Sequence, residues 1–333
     1  MNAHSNTNKD NPEKLEKLEP QKTKQKKQRK QRKHVKLVLE EDNEHDKKDK
    51  QFYETPITNL ESCITMNENI KVIKGDCLDI MKHIESNSVN LILCDLPYGT
   101  TKCKWDSIIN IEKLWEEYKR IIVKPTGVIA LFGQQPFTTK LISGNYDWFK
   151  YNLIWKKNKT TQYLLANYRP MKCTEDICVF SPGGAAAASK HKGNMTYNPQ
   201  NLVPVNITKK NSEKRIGKML NQSHHLGPNN KLISNAEYKQ SYTNYPIEII
   251  EFDIENDTIH ETQKPVPLIE YLIKTYSNEN DVVLDNTMGS GTTGIGCINT
   301  NRQFIGIELD EKYFNLSCDR LKAHLQMKQT KSQ

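Results

Sequence analysis

A chain of 333 residues with 36% apolar content has room for one large domain plus an insert, and its formal charge of +8 is unevenly spread. The first 50 residues hold 15 Lys/Arg against 10 Asp/Glu, so the rest is nearly neutral. Eight cysteines without a C-x2-C pair argue against a zinc site, and no apolar run reaches the roughly 18 residues of a membrane span or signal peptide. These features predict a reduced, intracellular (cytoplasmic) protein with no metal and no membrane partner.

Residues 1–50 read as a disordered charged tail: nine basic residues and no acid lie within 21–37, followed by an acidic cluster at 40–49. Three roles fit it: a solvated tail, a phosphate-binding arm, or a nuclear-localisation signal in a eukaryotic host. Beyond it, short apolar runs at 71–74, 90–95, 127–132 and 149–155 alternate with helix-like stretches at 77–85, 110–123 and 136–144, the pattern of a doubly wound α/β sheet.

The run ending at Cys94 delivers Asp95 to the carboxyl edge of that sheet, where ligands bind in open α/β folds. Leu96, Pro97 and Tyr98 follow. Proline fixes φ and Tyr98 offers a flat face, so this turn can aim carbonyl and carboxylate acceptors at one amino group beside a stacking ring. An exocyclic amine on an extruded nucleobase fits such a geometry. A plain proline turn with a half-buried tyrosine is the structural alternative.

Residues 157–259 change character, with Pro182, Gly183, Gly184 and four alanines opening an Asn-, Lys- and Tyr-rich stretch. Lys209, Lys210, Lys214, Arg215 and Lys218 form its densest basic cluster. Basic groups there can hold phosphates and amides can read adenine edges; a solvated face is the alternative. His224 and His225 have no partner at metal spacing. Cys173 and Cys178, beside and within a strand expected at 176–180, read as core thiols.

A last strand–loop–helix unit starts at 281–285. Asp285, Asn286 and Thr287 lead into Gly289, Ser290, Gly291, Thr292, Thr293 and Gly294, which have the G-x-G-x-x-G spacing. Glu308 ends the next apolar run, 304–307, about twenty residues on, where a ribose-binding carboxylate belongs. Only a helix over 310–325 and a polar tail, 326–333, follow, so the sheet must be completed by the upstream strands.

Taken together, the chain resembles the amino-directed (N6-adenine or N4-cytosine) DNA methyltransferases in their beta order, with the catalytic tetrad before the cofactor loop. Five anchors carry the resemblance: Gly75 and Asp76; Asp95 to Tyr98; Trp155 and Lys156; His260, Glu261, Thr262, Gln263, Lys264 and Pro265; and Asp285 to Gly294. The run from Asp95 to Asp106 looks most like phage-type adenine-directed members.

The resemblance implies a Rossmann-like S-adenosylmethionine-dependent methyltransferase sheet with circularly permuted motif order. Its catalytic half is 51–156, its target-recognition insert 157–259 and its cofactor half 260–325. It also implies that Asp95 and the Leu96 carbonyl accept from the target amino group and that Tyr98 stacks on the flipped base, for which its ring suffices. By the same resemblance, Asp285, residues 287–291 and Thr292 surround the methionine moiety, Glu308 takes the ribose, Asp76 the adenine amino group, and Lys264 closes the pocket. Double-stranded DNA, a homodimer and a cognate endonuclease of a restriction-modification pair are the implied partners. Departures occur at Leu96, Asn286, Thr287 and Glu261, where the family commonly has Pro, Pro, Phe and Pro.

Adenine-N6 methylation is the preferred activity because the tetrad begins with Asp; cytosine-N4 members more often begin with Ser. RNA methylation, a nicotinamide-dependent dehydrogenase using the same glycine loop, and a non-catalytic DNA-binding module are the alternatives. Carbon-5 methylation is excluded, since none of the 14 prolines is followed by the cysteine that chemistry needs.

Overall fold

The computed structural model describes residues 56–99, 107–186, 193–210, 237–256, 258–259 and 263–331. The charged tail, residues 100–106, Lys214, Arg215, Lys218, His224, His225 and His260 to Thr262 lie outside them.

Two strands with no polar position, Leu91–Cys94 and Val128–Gly133, stand at the centre of the fold. β1 (Cys63–Asn67), β2 (Ile70–Lys74), β3 (Leu91–Cys94), β4 (Val128–Gly133), β5 (Phe149–Thr161) and β6 (Lys172–Phe180) come first along the chain; β9 (Ile249–Glu251), β10 (Val282–Asp285) and β11 (Gln303–Glu308) come later. Together they form one nine-stranded sheet in the order β1-β2-β11-β10-β3-β4-β6-β5-β9. From β2 to β4 every pairing is parallel, and β3 and β4 are buried at every position, as strands covered on both faces are.

Period-two alternation divides each strand between two cores. Leu91 and Leu93 join Val283, Ala130 and Phe132 on one face, under α4 (Val266–Tyr276), α5 (Thr292–Thr300) and α6 (Glu311–Lys331). Ile92 and Cys94 join Ile129, Leu131 and Leu284 on the other, under α1 (Cys77–Met81), α2 (Ile111–Ile121) and α3 (Phe137–Gly144). α2 shows why: Ile111, Leu114, Trp115, Tyr118 and Ile121 fall on one helical stripe and are all buried, and the Asn110 side chain caps the Lys113 amide at 3.0 Å.

The strands latest in the chain lie in the middle of the sheet. β10 and β11 fill the slot between β2 and β3, which is the permuted order expected from the position of the glycine loop. After β10 the chain turns through α5 to β11 on one side; after β3 it turns through α2 to β4 on the other. The carboxyl ends of β10 and β3 therefore flank a crevice, the switch point at which α/β sheets bind ligands.

The glycine loop is built for that position. Gly291 has φ +73° at the start of α5, and a Cβ on Gly294 would come within 2.7 Å of Leu321 and 2.8 Å of the Phe304 ring. The third glycine thus lets α5 lie directly on β11 and α6. Gly294→Ala is expected to overpack this contact and lower the denaturant midpoint, a loss of about 1–3 kcal/mol; an unchanged midpoint would show that the contact yields.

Several elements differ from expectation. Residues 172–180 of the stretch taken as an insert form β6, between β4 and β5, and β5 itself runs on to Thr161. Among the described residues of that stretch, only β7 (Val203–Lys210) and β8 (Glu237–Thr243) pair as a separate two-stranded sheet. α6 continues past 325 to Lys331 because polar ties hold it down: His324 Nε2 lies 2.6 Å from Asn299 Oδ1, and Lys328 donates to Asn301 Oδ1 at 2.9 Å. α4 starts at Val266, with Pro265 as its cap residue. Cys178 is buried and Cys173 half-buried. No helix among the described residues is long and apolar enough to cross a membrane.

Candidate active site

Two turns separated by about 190 residues meet in one cavity of about 930 Å³, near the upper end of the size range of small-molecule sites. Of the expected site residues, Asp76, Asp95, Leu96, Pro97, Tyr98, Lys264, Asp285, Asn286, Thr287, Gly289, Ser290, Thr292 and Glu308 all line it. Gly291 stands behind the lining as the cap of α5.

Side chains bond the turns to each other. Thr287 Oγ1 donates to the Asp95 carbonyl at 3.1 Å. Asn286 Oδ1 accepts from the Tyr118 hydroxyl at 2.6 Å and the Cys94 thiol at 2.8 Å, which fixes the start of the glycine loop to β3. The polar residues where the family commonly has Pro and Phe are therefore bonded, not merely tolerated.

At the glycine-loop end, Glu308 Oε2 accepts from the Gly289 amide and Oε1 from the Asp310 amide, each at 2.9 Å. Asp285 accepts from the Thr287 amide at 3.2 Å and from Thr293 Oγ1 at 2.6 Å. Asp76 caps α1 through the Leu78 amide at 2.8 Å.

At the tetrad end, the Tyr98 ring packs against Phe137, centroids 5.1 Å apart. Its hydroxyl donates to Asp95 Oδ1 at 2.7 Å and lies 2.9 Å from Glu175 Oε1, so the ring is not its only working part. Lys264 Nζ donates to Asp95 Oδ2 at 2.5 Å and pairs with Glu175 Oε1 at 3.0 Å. Lys264, expected beside the cofactor, is thus anchored on the tetrad.

The DNA methylase family model (N6/N4 Mtase) matches residues 89–319. The chain belongs to that family. It is 27% identical over 267 residues to the Type II methyltransferase M.HpaI of Haemophilus parainfluenzae, covering 75% of this chain and 74% of the relative. To the Type II methyltransferase M1.MboII of Moraxella bovis it is 28% identical over 275 residues, covering 75% and 95%. Among solved structures, PvuII DNA methyltransferase (cytosine-N4-specific) superposes with a TM-score of 0.50 at 14% identity, covering 76% of this chain and 86% of that one, a likeness of fold.

The dehydrogenase and non-catalytic alternatives fall with that membership: the protein is a DNA methyltransferase. Burial pushes the Asp285 carboxyl up to about 7, with Asp95 and Glu308 adding repulsion and the Thr293 and Thr287 bonds opposing it. Burial also raises Glu308. Buried carboxyl groups therefore stand beside the glycine loop, held above their usual range by desolvation.

Charges at the tetrad are arranged differently. Burial pulls the Lys264 ammonium down, but Asp95 and Glu175 outweigh it and hold it above its usual range. Burial raises Glu175, yet Lys264 and Lys157 more than offset this and hold it at about 2. Asp95 itself is raised, chiefly by burial, against the pull of Lys264. Burial and the two carboxylates keep the Tyr98 hydroxyl protonated, as a donor.

Glu175 and Lys157 did not stand out in the sequence. Glu175 begins the buried part of β6, and an acidic residue heading the apolar run 177–180 was the available signal. Arg320, on α6, also reaches the loop, donating to the Ser290 carbonyl at 3.0 Å and Thr292 Oγ1 at 2.9 Å.

Proposed function

We propose that this methylase transfers a methyl group from S-adenosylmethionine to the exocyclic N6 of adenine in double-stranded DNA. The observation that carries the reading is the opening of the Asp95 turn and the glycine loop into the same cavity. The donor set fits the cofactor: carboxylates at Asp285, Glu308 and Asp76 face one end, with the glycine-loop backbone beside them. When bound, S-adenosylmethionine supplies an electrophilic sulfonium methyl.

The chain's own residues do the rest. An arylamine lone pair is delocalised into its ring and attacks poorly. Asp95 and the Leu96 carbonyl accept hydrogen bonds from its two N–H groups, which favours a pyramidal nitrogen and offsets the positive charge that develops there until the methylated amine releases one proton. Tyr98, backed by the buried Phe137 ring, provides the aromatic face for the extruded base. Closing the cavity around both reactants removes the cost of their encounter, on the order of 7–11 kcal/mol in favourable cases.

Adenine is favoured over cytosine because the tetrad begins with Asp. β7 and β8 carry exposed Val203, Ile207, Tyr238 and Tyr242 among Lys209, Lys210 and Lys239, a composition that supports phosphate and groove contact by this part of the insert. A homodimer, a cognate endonuclease and an intracellular, cytoplasmic place of action complete the reading.

Parallel incubations with radiolabelled S-adenosylmethionine and either unmethylated duplex DNA or RNA, followed by nucleoside mass analysis, test it. N6-methyladenine is expected; N4-methylcytosine would correct the base, and label in RNA alone would overturn the substrate.

Cofactor affinity should depend on pH through Asp285. A bound cation favours the ionised carboxylate, whereas below about pH 7 the empty site holds a proton that binding must expel. Affinity for S-adenosylmethionine is therefore expected to fall up to about tenfold per pH unit below 7 and to level off above it. Calorimetric titration across this range checks the slope, and a flat profile would remove Asp285 from the cofactor wall.

A further inference from the structure

We infer that Glu175 is a positioning residue for methyl transfer: it takes over Lys264 and Tyr98 from Asp95 when the target base enters, so that the Asp95 carboxylate is released to the amino group. The inference rests on the methyltransferase reading above.

In the base-free protein both Asp95 oxygens already have donors, the Tyr98 hydroxyl on Oδ1 at 2.7 Å and Lys264 Nζ on Oδ2 at 2.5 Å. The ammonium is the stronger competitor. It sets a full positive charge against the carboxylate that the transiently cationic amine needs. Its side chain is 10% exposed, so it cannot simply retreat into water.

Glu175 gives it somewhere to go. Its Oε1 is already 3.0 Å from Lys264 Nζ and 2.9 Å from the Tyr98 hydroxyl, so both donors can change acceptor with a small movement. Its Oε2 is held by Lys157 Nζ at 2.7 Å, and Lys157 lies over the Trp155 ring, which fixes the carboxylate in place. Two carboxylates and two ammoniums make the cluster neutral, and no charge is left unpaired during the exchange. Without Glu175, Lys264 would remain a permanent counter-ion on Asp95.

The test uses the full chain and compares wild type, Glu175→Gln and the double variant Glu175→Gln/Lys264→Gln. Steady-state methylation of duplex DNA is measured across pH, alongside calorimetric binding of S-adenosylmethionine. Glu175→Gln is expected to lower kcat on the order of tenfold or more, the scale of a lost charge-assisted bond, with cofactor affinity unchanged.

The groups facing Asp95 are Lys264, Tyr98, Glu175 and, across the cavity, Asp285, with Lys157 behind Glu175. Removing the Glu175 charge leaves Lys264 dominant, so the acid limb of the kcat profile moves to lower pH. The double variant should be faster than Glu175→Gln, because the ammonium that masks Asp95 has gone; a merely structural Glu175 predicts further loss.

Glu175→Asp keeps the charge with a shorter reach. It lowers kcat without moving the acid limb, and it is read in place of Glu175→Gln if that variant fails to bind cofactor. Unchanged kcat in the variant that is read, or additive losses in the double variant, overturns the inference while wild type still methylates DNA. A wild type that transfers no methyl overturns the functional reading beneath it.

Discussion

Asp95→Ala is expected to lose methyl transfer by at least 10²- to 10³-fold, the range found when one preorganised charge-stabilising group is removed from an active site, while still binding S-adenosylmethionine. The fold should tolerate the change. Lys264 retains Glu175 as a partner at 3.0 Å, so no buried ammonium is stranded, and the link from Thr287 Oγ1 runs to the Asp95 backbone carbonyl, which alanine preserves. Single-turnover transfer with saturating cofactor checks the loss, and calorimetry checks the binding. Transfer at the wild-type rate would remove Asp95 from the mechanism.

Glu308→Ala acts at the opposite end of the cavity and should reverse the pattern: cofactor affinity falls while kcat at saturation changes little. Its carboxylate accepts from both the Gly289 and Asp310 amides, so alanine unpins the glycine loop and, if Glu308 takes the ribose as the family resemblance implies, removes that acceptor as well. Two charged hydrogen bonds set the scale, about 3–6 kcal/mol before the loop relaxes, or a rise in Kd of 10²-fold or more. Glu308→Gln separates the parts. One amide oxygen still holds the loop, so its Kd should lie between the other two; a wild-type Kd in Glu308→Ala would place the ribose elsewhere.

The parallel centre of the sheet was legible because its strands are unbroken apolar runs closed by turn residues, and Asp95 and the glycine loop sit where those runs end. β7, β8 and β9 were not, because their residues are mostly exposed, the short Val203, Val205, Ile207 alternation of β7 carries Pro204, and β9 is only three residues long. β6 was seen only from its apolar half, 176–180: Lys172, Thr174 and Glu175 are polar, and Glu175 lies at the cavity. The polar frame of the tetrad was invisible for a different reason. Glu175 is 77 positions from Tyr98 and Lys264 is 169 from Asp95, and a buried ion cluster assembled over such separations leaves no local pattern. Tyr98 illustrates the cost, since its ring could be read from the motif but the engagement of its hydroxyl could not.

The placement of β10 and β11 between β2 and β3 also bears on biosynthesis. As the chain leaves the ribosome, β2 and β3 emerge long before their neighbours, and each waits with an unpaired parallel edge until residues 282–308 follow. Such edges invite pairing with other nascent chains, and the late, non-local closure that satisfies them is slow. The core strands can therefore mature only after residues 282–308 have been made, so the same threading that joins the two turns into one site keeps that site unassembled until the last strands of the sheet have emerged.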